Sequence, residues 1–117
     1  MITAKFSTNK KSGSITLKVT GHAGAAEQGK DIICSAASIL TYTLAQAISF
    51  MHSEGKLQKK PNIRFTEDKG DAVITAKPKD DWYGEALHCF FIAQVGFHLL
   101  SHNYPQYVEL NSFGEQA

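Results

Sequence analysis

Apolar and polar residues alternate from the start of the chain. Met1-Ile2-Thr3-Ala4-Lys5-Phe6 sets the pattern, and it returns where Ile15, Leu17 and Val19 point one way while Thr16, Lys18 and Thr20 point the other. That period of two belongs to a half-buried strand, so strands are predicted over residues 2–7 and 14–20. Asn9-Lys10-Lys11-Ser12-Gly13 supplies turn chemistry between them, which makes a hairpin. The period then changes. Ile33, Ala37, Leu40, Leu44, Ile48 and Met51 step by three or four residues, the apolar stripe of a helix running from near Asp31 to His52. Gly55 is placed to stop it.

A second hairpin is expected over Asn62–Thr66 and Ala72–Lys77, turning at Glu67-Asp68-Lys69-Gly70. A second helix should begin after Asp80 or Asp81, either of which can cap it, and should turn Leu87, Phe90, Phe91, Val95 and Leu99 to the core. Pro105 cannot continue that helix, and Tyr107–Leu110 reads as a last short strand. The order ββαββαβ implies a two-layer α+β fold: a mainly antiparallel sheet with both helices on one face. At 117 residues the chain suits a single domain, 1–117.

Composition narrows the function classes. The apolar fraction is 43%, and 12 basic against 11 acidic side chains leave a formal charge of +1. No global field draws such a chain to nucleic acid or an anionic membrane. Lys56, Lys59 and Lys60 form the one basic cluster, and it reads as a solvated connection. The first residues do not resemble a secretion signal, and no run is expected to approach the ~18 apolar residues that span a bilayer. Cys34 and Cys89 are far apart and belong to no CxxC pair, which fits a reduced, cytoplasmic setting. With scattered histidines they make no zinc signature, and no cofactor is expected.

Cys34 is the residue with chemistry to offer. If Asp31 is the N-cap, Cys34 falls in the first helical turn, where unpaired amides and the helix dipole favour a thiolate. The loop before it is Gly21-His22-Ala23-Gly24-Ala25-Ala26-Glu27-Gln28-Gly29. Gly21, Gly24 and Gly29 give its backbone unusual freedom. A loop of this length can return His22 to Cys34, where an imidazole serves as base and then as acid for a leaving amine. Asp31 has two candidate roles: helix cap, or third catalytic member orienting His22. Ser38 lies one turn beyond Cys34, and Cys34, Ser38, Thr41 and Ala45 form a stripe of small side chains. Something approaches that face closely, either a neighbouring element or a substrate. The segment 24–29 lacks a large apolar anchor, so it is expected to be loose without substrate.

Competing sites are weaker. Cys89 lies mid-helix and reads as a core thiol, and His52, His98 and His102 lie at or near helix ends. Gly21-His22-Ala23-Gly24 matches a GXXG nucleic-acid clamp only superficially, because a strand precedes it and its middle pair carries little positive charge. A non-catalytic binding module and a thiol redox protein are the rival classes; the second would need Cys89 as resolving thiol.

Thr20-Gly21-His22-Ala23-Gly24 and Gly29-Lys30-Asp31-Ile32-Ile33-Cys34-Ser35-Ala36-Ala37-Ser38 resemble the signature of the ribosomal-processing cysteine protease Prp family. Gly96-Phe97-His98-Leu99-Leu100 and Asn103-Tyr104-Pro105-Gln106-Tyr107-Val108 resemble that family's ending. The resemblance implies a His22–Cys34 dyad, with Asp31 and Ser38 in support. It also implies a cytoplasmic homodimer that removes a short N-terminal extension, ending in an apolar, phenylalanine-rich site, from a large-subunit ribosomal protein precursor. Relatives in phages are associated with processing of virion proteins, so the resemblance implies a virion protein as substrate if the chain is phage-derived. Ser35 and Ile33 stand where the family has alanine and valine, and Ala25 where a larger side chain is common.

Overall fold

A computed structural model of the protein describes residues 1–21, 28–66 and 71–114, and for 28–31 the backbone alone. The elements are β1 (Ile2–Asn9), β2 (Ser14–Thr20), α1 (Gln28–Ser53), β3 (Asn62–Thr66), β4 (Asp71–Ala76), α2 (Tyr83–Asn103) and β5 (Val108–Asn111), in the expected ββαββαβ order. The five strands form one sheet in the order β3-β4-β2-β1-β5. All its pairs are antiparallel except β1 with β5.

Alternation decides which face is buried. Ile2, Ala4 and Phe6 of β1, Ile15, Leu17 and Val19 of β2, and Ala72, Ile74 and Ala76 of β4 all turn inward. On the other face Thr16 meets its register partner Thr75, hydroxyl to hydroxyl at 3.0 Å. Of the stripe expected on α1, Ile33, Ala37, Leu44, Ile48 and Met51 are buried, and Leu40 is half-buried against the core. Burial of a large aliphatic or aromatic side chain stabilises by roughly 1.5–3 kcal/mol. Phe6, Phe90 and Phe97 are therefore major contributors; Phe6 makes edge contacts with Phe97 and Phe113 at 6.1 and 5.5 Å between ring centres.

Several expectations need correction. Helix α1 begins at Gln28, three residues before Asp31, so Asp31 lies inside the first turn rather than capping it. Gly29, expected in the loop, also lies within α1. Gln28 and Lys30 are good helix formers, and an acidic residue in a first turn suits the helix dipole, so the helix continues back past its apolar stripe. The proposed turn at 67–70 and loop residues 22–27, Gly24 included, lie outside the described residues. Asp80 and Asp81 do not cap α2; they form a short 3-10 turn with Trp82, and α2 follows without a side-chain cap.

The buried face of α2 is Ala86, Phe90, Ala93 and Phe97. Of the residues expected there, Phe91, Val95 and Leu99 are exposed. This helix is apolar around most of its girth, so period alone does not choose a face. The sheet selects the face on which two alanines alternate with two phenylalanines.

Gly55 does stop α1, with φ +78°. Its N–H donates to the carbonyl of His52 and that of Lys56 to Met51, the hydrogen-bond pattern of a Schellman motif. Lys56 then ties the end of α1 to the start of α2. It pairs with Glu54 at 3.1 Å and Glu85 at 3.0 Å and lies 4.5 Å over the Trp82 ring. Contrary to expectation, Ile32–Ser53 is long and apolar enough by composition to cross a membrane. In this fold its inner stripe is instead part of the core.

Candidate active site

Because α1 starts at Gln28, Cys34 stands in its second turn, not its first. A helix leaves only its first four N–H groups unpaired, and the dipole's influence fades within that turn. The helix terminus therefore acts on Cys34 less directly than expected, and the amide of Cys34 belongs to the helix ladder. Its side chain is half-buried and packs against the core.

Cys34 opens into a cleft of about 260 Å³ between α1 and one end of the sheet. Ala37, Ser38, Thr41 and Tyr42 continue the α1 wall, while Ile2, Val19, Gly21, Phe65, Thr66, Asp71 and Ala72 supply the other. The stripe of small residues thus has a structural meaning. Cys34, Ser38 and Thr41 line the cleft, while Ala45 is buried in the core. Buried Thr41 turns its hydroxyl back to the carbonyl of Ala37 at 2.8 Å. Ser38, one turn beyond Cys34, is exposed on the cleft.

Two further features escaped the sequence reading. Tyr42 of α1 stacks on Phe65 of β3, with ring centres 4.5 Å apart and planes at 25°. This aromatic pair walls the cleft, and no local pattern joins residues so distant in the chain. The second is Asp71, which opens β4 and accepts a hydrogen bond from the N–H of Gly21 at 3.2 Å. Gly21 has φ +85°, and a Cβ there would collide with the carbonyl oxygen of Met1. Gly21, expected to lend the loop freedom, is instead pinned at the end of β2.

His22 and its relation to Cys34 lie outside the described residues, as does the side chain of Asp31. Cys89 is a half-buried thiol of α2, free like Cys34. Burial, seconded by the charge of Glu85, pushes the Cys89 thiol above its ordinary range. Thiol–thiolate chemistry at neutral pH is therefore disfavoured at Cys89. Among the described residues no group of three or more His, Cys, Asp or Glu could hold a metal ion.

The fold is shared with solved structures. A ribosomal processing protease Prp from Staphylococcus aureus, captured with a covalently linked product peptide, is 25% identical, with a TM-score of 0.70 over 97% of this chain and 99% of that one. A Streptococcus mutans protein is 25% identical, with a TM-score of 0.72 over 95% of this chain and 92% of that one. No curated protein sequence matches significantly. The family model described as cysteine protease Prp matches residues 1–109. A cleft open to one half-buried thiol, on this fold and with that match across nearly the whole chain, has one reading: the chain belongs to the Prp family of cysteine proteases.

Proposed function

We propose that this cysteine protease removes a short N-terminal extension from a large-subunit ribosomal protein precursor, with Cys34 as nucleophile and His22 as its base. The observation that carries the reading is the thiol of Cys34 opening into a cleft whose opposite wall includes Gly21, the residue just before His22 in the chain. The Staphylococcus aureus relative with its covalently linked peptide supports a peptide substrate and the ribosomal one. The cleft's apolar residues, with Tyr42 and Phe65 among them, suit an apolar side chain next to the scissile bond.

In this mechanism His22 takes the Cys34 proton, and the thiolate sulfur attacks the scissile carbonyl carbon. Collapse of the tetrahedral intermediate forms a thioester and breaks the C–N bond, and His22 returns the proton to the leaving amine. Water, activated by the same imidazole, hydrolyses the thioester and frees Cys34. With the Cys34 amide committed to the helix, the Ser38 hydroxyl donates to the oxyanion in this reading, which its exposure on the cleft supports. Asp31, inside the helix, is a candidate partner for His22 rather than a cap.

The reading extends to assembly and place. Ile32, Ile39 and Phe50 recur at helical spacing along α1 and are 63%, 62% and 59% exposed; Ile92, Val95 and Leu99 repeat the pattern on α2. Such apolar faces support a homodimer. Two free thiols suit a reducing cytoplasm. The test is incubation with peptides spanning the N-termini of candidate ribosomal and virion precursors, with new N-termini read by mass spectrometry. Cleavage of the ribosomal peptide after an apolar residue is expected. Cleavage of the virion peptide alone would redirect the substrate, and cleavage of neither would contradict the reading.

A further inference from the structure

Strand β2 does not end in an ordinary ladder. Val19 pairs with Ala72, which leaves Asp71 across from Thr20, at the end of β4 nearest Gly21. With φ +85° and the Met1 carbonyl where a Cβ would be, Gly21 takes a conformation open only to glycine. Its N–H is met by the Asp71 carboxylate at 3.2 Å. A charged acceptor makes a stronger hydrogen bond than a neutral one. Asp71 and Gly21 both line the cleft that Cys34 opens into, so this strap lies at the site itself. Gly21 is also the residue immediately before His22.

We propose that Asp71 is a positioning residue for the proteolytic reaction: its carboxylate holds the Gly21 peptide and so sets the direction in which the chain delivers His22. The role rests on His22 being the base. It differs from the supporting role considered for Asp31, because Asp71 acts through the backbone preceding the histidine. Misplacement of a catalytic group by about 1 Å can cost on the order of 10²-fold in rate. Loss of the strap should therefore reduce kcat while leaving the apolar walls of the cleft in place.

The experiment compares kcat, KM and thermal midpoint for wild type, Asp71→Asn and Asp71→Ala on one cleavable peptide, with His22→Ala as control. Asn keeps an acceptor oxygen and Ala removes it. The expected result is a kcat lower by about 10–100-fold in Asp71→Ala, with KM within about threefold and most of the loss recovered in Asp71→Asn. Thermal midpoints should not account for the difference. An inactive His22→Ala beside an unimpaired Asp71→Ala would overturn the positioning role and leave the dyad standing. Equal losses in Asp71→Asn and Asp71→Ala would also overturn it, since the acceptor would not be the active feature. A fully active His22→Ala would bring down the dyad reading and this role with it.

Discussion

Gly96 of α2 crosses Leu40 of α1 so closely that a Cβ at position 96 would fall among the Leu40 methyl carbons. The two helices share one face of the sheet, and this contact sets their approach. Gly96→Val should destabilise by about 1–3 kcal/mol, the usual range for overpacking. Adding Leu40→Ala should cost less than it does in the wild-type background, because the space it opens accepts the valine. Denaturant unfolding of the four proteins measures this coupling; simple additivity would contradict the close crossing.

The two thiols should behave differently. Burial and Glu85 hold the Cys89 thiol above its ordinary range, so it remains protonated at neutral pH and its alkylation should rise only in alkaline solution. Glu85→Gln removes the second cause and should shift that rise to lower pH. Peptide mapping after iodoacetamide treatment across the pH range gives both profiles. Cys89→Ser should keep most of the cleavage activity, whereas Cys34→Ala should abolish it.

Ser38 faces the cleft one turn beyond Cys34. If its hydroxyl donates to the oxyanion, Ser38→Ala should lower kcat by roughly 10²-fold with KM little changed, the magnitude of losing one such donor. Steady-state kinetics on a single peptide decides it. A change confined to KM would assign Ser38 to substrate binding.

The stacked Tyr42–Phe65 pair should act on binding. Phe65→Ala removes one wall of the cleft and should raise KM by about 2–10-fold, in line with the roughly 0.5–1.5 kcal/mol of an aromatic contact. Peptides with a smaller apolar residue at the cleavage site should be less sensitive to the substitution. Equal sensitivity would indicate that the pair only joins α1 to β3.

Much of the fold was legible because this sheet has one buried and one polar face. Ile15, Leu17 and Val19 against Thr16, Lys18 and Thr20 can be read from spacing alone. The orientation of α2 was not legible, because Phe91, Val95 and Leu99 are as apolar as the residues that face the sheet. The start of α1 was misjudged because Gly29 and Asp31 look like a breaker and a cap, yet both lie within the helix. Cys34 and Ser38 share a face by helical period, so that part of the site followed from sequence. Asp71, Tyr42 and Phe65 come to the cleft only through strand pairing and helix docking, which no local motif encodes. A signal existed for Asp71, an acidic residue at a strand's first position just beyond the turn expected from sequence, but nothing in it named Gly21 as partner.

The central claim is that Cys34 carries the acyl group, and trapping that group tests it most directly. Wild-type protein quenched in acid during turnover of a slowly hydrolysed peptide ester, then digested and mapped by mass spectrometry, should carry the acyl mass on the fragment containing Cys34. His22→Ala should accumulate far less of it, and Cys89→Ser as much as wild type. An acyl group found on Cys89, or turnover that continues in Cys34→Ala, would contradict the account.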